Sequence, residues 1–439
     1  MIRSPFPGRL PGKMIVRKNL GILGSGWFVT AAGAWVLAAC SASQPPPAES
    51  ASSGSSAVLL GNEPKIEALP AMEVEKPKGK PAPNANPFAG AEFYVNPNYV
   101  KSIESTPTTD PADKKLLEKM KKFPTGLWID RIAAIENVPV WLEGAEKQAK
   151  AKGKPVVPVI VVYDLPNRDC AAAASAGELT VEDGGEQRYR TEFIDPIAEH
   201  FAKHPDLKIA VVLEPDSLAN LATNLGIEQC AKSQKIYKNS TAYAISKLSL
   251  PNVYIYLDAA HAGWLGWNSN RNRVTDVYVE VLEMAGGADR IRGFATNVSN
   301  YNALEGEWGK KLESSSPTPN ELSYVEALAG TLAEKGIKDK GFLVDTSRNG
   351  VQESRTVWGN WCNIKLAGLG PRPQVAPQPL VDAYFWVKPP GESDGTSDTS
   401  AARFDKNCRS ADAIVEAPEA GQWFPEHLLM MMKAANPPL

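Results

Sequence analysis

"KIAVVLEPDSLANL", residues 208–221, decides the fold. Ile209 to Leu213 is an unbroken apolar run rich in β-branched side chains, the composition of a strand buried on both faces. A strand with one wet face alternates polar and apolar residues; this one does not. The run ends at Glu214-Pro215-Asp216, two carboxylates one residue apart at the point where the chain leaves the core.

The pattern recurs along the chain. "PVVPVIVVYDLPNRDC" carries a strand over 156–163 and then meets Asp164 and Asp169. "NVYIYLDAAHAGW" runs into Asp258 and His261, "IRGFATNVSNYN" into Asn297 and Asn300, and "GFLVDTSRNG" into Asp345 and Arg348. "VDAYFWVKPPGESDG" meets Lys388, Glu392 and Asp394, and the short "GLWIDR" ends at Asp130. Between them, residues 195–203, 239–248, 273–284 and 323–334 place apolar side chains three and four apart, the period of helices. Strands alternating with helices predict parallel β/α units that close, or nearly close, into a barrel. The active site of a barrel lies at the carboxyl ends of its strands, which puts Glu214 and Asp216 on the rim. A single Asp after a strand is usually a helix cap, and Asp216 before Ser217 has that option. A series of strands ending in acids, amides, a Lys and an Arg exceeds what capping needs.

This rim is rich in carboxylates and poor in other reactive groups. The 439-residue chain has only four histidines and neither a C-x-x-C nor an H-E-x-x-H pattern, so no metal or other cofactor is expected. Nine tryptophans lie beyond residue 85, with Trp128, Trp264, Trp267 and Trp361 at or beside strand tips. Core packing is the ordinary fate of any one Trp, but flat indoles also stack on the C–H faces of sugars. Two carboxyls of separated proton affinity are the requirement of glycoside hydrolysis.

The two ends of the chain differ in character. Residues 1–39 hold five basic and no acidic side chains, so the rest of the chain, from a formal total of −3, stands at −8, which disfavours a polyanion such as nucleic acid. Lys13, Arg17 and Lys18 precede an uncharged apolar stretch closing on Leu37-Ala38-Ala39-Cys40, the layout of an export signal. That ending resembles a bacterial lipobox, which implies cleavage before Cys40, a lipid on its sulfur, and attachment to a membrane or cell surface; a plain membrane span or simple secretion are the alternatives. Residues 40–85, rich in Ser, Pro and Ala, read as a disordered tether, and the globular part is expected over 86–439 as a monomer. Cys170, Cys230, Cys362 and Cys408 are even in number in an exported chain, which predicts two disulfides in one of three pairings.

The blocks "VVYDLPNRDCAAAAS", "LEPDSLANLATN", "LDAAHAGWLGW", "ATNVSNYN", "GNWCN" and "WVKPPGESDGTSD" together resemble glycoside hydrolase family 6, the cellobiohydrolases and endoglucanases of cellulose, from about residue 90 to the C-terminus. The resemblance implies a distorted parallel β/α barrel of fewer than eight strands that hydrolyses β-1,4-glucan with inversion. It makes Asp216 the general acid, Asp169 the neighbour that keeps it protonated, Tyr163 the ring beneath the strained sugar, and Asp394 the base. It assigns sugar binding to Trp128, Asp258, Trp264, Trp267, Asn300, Trp361, Lys388 and Glu392, with Arg168 and His261 beside them. It pairs Cys170 with Cys230 and Cys362 with Cys408. Asn167 and Ala260 depart from the Asp and Gly common in relatives. Residues 392–423 form a long excursion without helical or strand period, pinned by Cys408, and 171–187 form another. Excursions of this length in a compact domain are usually functional, and roofing the cleft into a tunnel would give exo action with release of cellobiose from non-reducing ends. An endo-acting enzyme of the same family is the runner-up.

Two other classes compete. Gly391-Glu-Ser-Asp-Gly395 fits the G-x-S-x-G elbow of serine esterases, but the residues after Ser393 lack the period of the helix that elbow must open. A surface protein that only binds polysaccharide would share the tether and the tryptophans, yet gains nothing from paired acids.

Overall fold

The computed structural model describes residues 72–77 and 79–439; the expected export signal, Cys40 and the tether up to residue 71 lie outside the described residues. Eight strands form one curled sheet: β1 (Leu127–Ile129), β2 (Val159–Val162), β3 (Ile209–Leu213), β4 (Val253–Asp258), β5 (Gly293–Thr296), β6 (Gly341–Asp345), β7 (Gln374–Gln378) and β8 (Val381–Phe385). The spatial order is β1-β2-β3-β4-β5-β6-β8-β7. Every neighbouring pair is parallel except β7–β8. An isolated parallel bridge between Thr125 and Trp386 brings the β1 edge back to the end of β8, where the Gly126 N–H donates to the Trp386 carbonyl at 3.0 Å. Seven parallel strands thus make the distorted barrel, and β7 is an antiparallel flap on its outside.

The unbroken apolar strands have the expected cause. Inward-facing Val159, Val161, Ala210, Val212, Tyr256, Ala295, Leu343 and Phe385 fill the barrel. The alternate residues Ile160, Val162, Ile209, Val211, Leu213, Ile255, Leu257, Phe294 and Val344 pack outward on the helices. Phe88 closes the amino-terminal end, 6.2 Å from Tyr256 ring to ring.

Several expected elements shift. Pro158, which has no N–H to give a ladder, splits the strand expected over 156–163: Val156–Val157 pairs with Glu92–Phe93 in a separate two-stranded sheet, and Val159–Val162 joins the barrel. The helix expected from 239 begins at Glu228; its first half is polar on most sides, so no apolar period marks it in the sequence. Helices at Pro97–Glu104, Pro111–Met120, Val138–Lys152 and Pro425–Lys433 were not anticipated. Within the expected tether, residues 72–77 run along the domain: Arg190 donates to the carbonyls of Met72 and Glu73, and Ser246 to that of Glu75.

Candidate active site

The two acids that close β3 part company at once. Glu214 and Asp216 both take left-handed backbone, φ 49° and 64°, which turns the chain sharply off the strand. Glu214 swings away from the barrel mouth into full burial. Its carboxyl accepts the Tyr189 hydroxyl at 2.7 Å and the backbone N–H groups of Asp164 at 3.2 Å and Leu165 at 3.4 Å. Burial pushes its pKa up to about 7. It ties the end of β3 to the turn after β2, a structural duty.

Asp216 occupies the N-cap position of the helix Ser217–Thr223, yet among the described residues its carboxyl makes no capping bond. Its backbone N–H is held instead by the Asp258 carboxylate at 3.0 Å, and its carbonyl accepts the Asn220 amide at 3.0 Å. The side chain lines a cleft of about 890 Å³ at the carboxyl ends of the strands. Burial raises its pKa well above the usual carboxylate range, and the charges of Asp169 and then Asp258 raise it further. Burial and these two neighbours thus favour the protonated form of this carboxyl, which no cap requires.

Asp169 enters the same cleft from the turn after β2, with φ 51°. Burial lifts its pKa to about 6, against hydrogen bonds from Ser175 and Asn220 and the charge of Arg168. The like charge of Asp169 works on Asp216, so in this coupled pair the proton rests on Asp216 and the charge on Asp169. Asp258, lifted to about 7 by burial, sits beneath them rather than in the cleft wall; its Oδ2 accepts the N–H groups of Asp216 and Ala260.

Asp394 is the opposite case. Burial pushes its pKa up, but Arg348, Lys388 and Tyr301 together bring it below the usual value. Arg348 donates to Oδ1 at 2.8 Å, while the Tyr301 hydroxyl at 2.6 Å and the Asn363 N–H at 2.9 Å donate to Oδ2. This carboxylate is ionised, buried and saturated with donors.

Around these groups the cleft carries the expected aromatic and polar wall. Trp128, Tyr163, Arg168, His261, Trp264, Asn300, Trp361, Lys388 and Glu392 all line it with Asp169, Asp216 and Asp394. Trp128 stands edge-on to Tyr163, ring centroids 5.7 Å apart, and the Arg168 guanidinium lies 4.3 Å from the Tyr163 ring centre. Arg168 is committed to backbone carbonyls, Tyr163 at 2.6 Å and Ser175 at 2.8 Å among them, so it frames the site. Lys388 and Glu392 form an ion pair at 3.2 Å. Two expected members stand outside the cavity: Asp258 below Asp216, and Trp267, which packs 5.9 Å from the cleft-lining Trp358 and bonds Ser315 through its indole N–H. Trp358, Arg403, Ser175 and Asn220 line the cleft without having been assigned. Asn220 was within reach, four residues beyond Asp216 on one helix face.

The disulfides are Cys170–Cys230 and Cys362–Cys408. The excursion 392–423 leaves and returns at one point: the Ser393 N–H donates to the Gln422 carbonyl at 2.8 Å and the Gly421 N–H to the Ser393 carbonyl at 3.0 Å. Gly395 of this loop abuts the 171–187 loop so closely that a Cβ on it would lie 2.8 Å from the Ala174 Cβ and 2.9 Å from the Cys408 sulfur. Both loops line the cleft, through Ala171, Ala172 and Ser175 on one and Arg403, Gly421 and Gln422 on the other. The G-x-S-x-G reading fails here: Ser393 is buried and bonded to Asn363 and the Pro418 carbonyl, and no helix opens directly after it.

A protonated carboxyl beside an ionised one, in a tryptophan-walled groove at the mouth of a parallel barrel, suits acid-assisted cleavage of a glycosidic bond, and that chemistry defines the class as glycoside hydrolase. Comparison with known proteins supplies the family: Glycosyl hydrolases family 6 matches over residues 88–435, and the chain belongs to it. A "1,4-beta-D-glucan cellobiohydrolase C" of Emericella nidulans is 42% identical over 362 residues, 81% of this chain and 79% of that protein. A "Putative endoglucanase type B" of Fusarium oxysporum is also 42% identical, over 81% and 78%. Among solved structures, cellobiohydrolase II (Cel6A) of Humicola insolens in complex with glucose and cellotetraose superposes with a TM-score of 0.78 at 39% identity, covering 81% of this chain and all of that one.

Proposed function

We propose that this glycoside hydrolase removes cellobiose from the non-reducing ends of β-1,4-glucan chains with inversion at the anomeric carbon. The observation that carries the chemistry is the Asp216 carboxyl in the cleft beside Asp169, making no capping bond among the described residues, with its pKa raised by burial and by that neighbour's charge. Asp216 donates its proton to the glycosidic oxygen as the bond breaks. Asp169 remains ionised and holds the proton on its neighbour until substrate takes it. Asp394 supplies a fixed negative charge on the base side of the cleft. With both oxygens already accepting hydrogen bonds, it polarises the attacking water and is a weak final acceptor of its proton.

Exo action is supported by the two loops that line one cleft and touch at Ala174 and Gly395, and by relatives named cellobiohydrolase C and Exoglucanase 3. The test is product analysis on phosphoric-acid-swollen cellulose with the anomer read by NMR. Cellobiose as the main early product, born as the α-anomer, is expected. A β-anomer first would overturn inversion, and a spread of oligomer lengths with rapid loss of carboxymethylcellulose viscosity would place the chain with the endoglucanase reading.

We further infer export with lipid attachment at Cys40. Two disulfides suit an oxidising compartment, and the Leu37–Cys40 ending suits lipidation. Among the described residues no helix is long and apolar enough to cross a membrane. Incorporation of labelled palmitate that is lost in Cys40→Ser tests it; equal labelling of the variant would refute it.

A further inference from the structure

His261 poses a hydrogen-bonding conflict whose resolution assigns a role to residues behind the cleft. Its Nε2 lies 3.0 Å from the Asn300 amide nitrogen, and its Nδ1 lies 2.8 Å from the Asn302 amide nitrogen. A neutral imidazole has one donor and one acceptor, so it cannot accept from both amides, and one of the two must present its oxygen instead. Asn302 cannot be that one. Its oxygen accepts the Trp358 indole N–H at 2.5 Å and a guanidinium N–H of Arg355, while its NH₂ also donates to the Glu321 carboxyl at 3.0 Å. Turning it over would set its NH₂ against two buried donors, the Trp358 indole and the Arg355 guanidinium, and strand both. Turning Asn300 disturbs only the neighbouring N–H of Tyr301, which its oxygen accepts at 2.8 Å. The imidazole Nδ1 therefore accepts from Asn302, the ring proton sits on Nε2, and the Asn300 oxygen faces it.

We propose that Asn302, set in place by Glu321, Arg355 and Trp358, is a positioning residue that fixes His261 as a neutral Nε2–H donor facing the Asn300 side of the cleft. Asn302 is buried at 3% exposure and does not line the cavity, whereas His261 and Asn300 do. Glu321 adds a second hold: its Oε1 accepts the Ala262 N–H at 2.8 Å and thereby anchors the residue after His261. The charged groups facing the ring act in the same sense. Burial and the Arg355 charge press its pKa down to about 3, and Glu321, raised to about 8 by burial, carries no charge at neutral pH to oppose them. Because this proton is taken by the Asn300 oxygen, it holds the cleft-lining Asn300 amide in one orientation, and a sugar meets that amide with its donor and acceptor ends already settled.

The role in substrate binding rests on the glycosidase reading above; the tautomer does not, so the two fail separately. The full-length protein labelled with ¹⁵N-histidine, without substrate, shows the tautomer directly in long-range ¹H–¹⁵N correlations, with His261 identified by the signal missing from His261→Gln. Expected is a pyrrole-type Nε2 and a pyridine-type Nδ1, unchanged from pH 5 to 8. An Nδ1–H tautomer, or titration to imidazolium in that range, would overturn the proposal. Asn302→Asp sets an acceptor against Nδ1 and should move the proton there, with KM for cellotetraose raised about fivefold, the equivalent of one hydrogen bond, and kcat changed less than twofold. An unaltered tautomer in the folded variant would also overturn it.

Discussion

Glu214 and Asp216 are one residue apart on one strand tip, and their environments give them opposite work. Glu214 is caged by Tyr189 and two backbone N–H groups, and burial keeps it largely protonated up to about pH 7. Gln is close to isosteric with that neutral acid, so Glu214→Gln should retain kcat within about threefold and lose about 1–2 kcal/mol of stability from mispaired donors, read by urea denaturation. An Asp169→Asn change acts through charge. Once the Asp169 carboxylate is gone, Asp216 releases its proton more easily, so the basic limb of the pH–rate profile should move to lower pH; a basic limb that stays in place would separate the two groups. The carboxylates at the strand tips could be read from sequence because they recur at one end of successive buried strands, more often than capping alone needs. The partners of Asp394 could not: Tyr301, Arg348 and Asn363 lie 93, 46 and 31 residues away in sequence, and only the closed barrel brings them together.

At the scale of elements, the strands were legible where both faces are buried and silent where they are not. β7, half-exposed and carrying Pro377, has neither an apolar run nor a clean alternation, and it pairs only as an edge. The missed helices had local signals instead. Asn96 and Asp110 cap helices that open with Pro, accepting from backbone N–H groups two residues on. The loop 392–423 has little regular structure to read; it is held by its neck, by the Arg403–Glu419 ion pair at 2.9 Å and by Cys408. Replacing residues 398–415 by a short Gly-Ser linker, with Cys362→Ser to avoid a free thiol, leaves the neck and Asp394 in place. The expected result is a faster fall in carboxymethylcellulose viscosity per bond cleaved. An unchanged ratio would mean that the loop does not restrict access.

For the whole molecule, buried acids make stability depend on pH in a definite direction. Asp164, Glu214, Asp258 and Glu321 have folded pKa values raised by burial to about 9, 7, 7 and 8. Unfolded, each ionises near pH 4. Between those limits the folded state binds more protons, so stability is present at low pH and is lost as pH rises. His261 and His427, depressed to about 3 and about 4, oppose this only below about pH 6.5, where the unfolded chain takes up their protons. Tm should therefore fall from pH 6.5 to 8.5, a slope measurable by calorimetry; a rise over that range would show these acids ionised in the fold. None of these shifts could be read from sequence, since each depends on burial that the barrel and its helices create together.

The proposed hydrolysis requires a proton held at Asp216 and given to the leaving oxygen. Asp216→Asn keeps the size and removes the proton donor, so hydrolysis of cellotetraose should fall at least about 100-fold, while calorimetric titration with the same sugar gives a Kd within about threefold of wild type. Wild-type turnover in that variant, with binding intact, would show that Asp216 is not the proton donor.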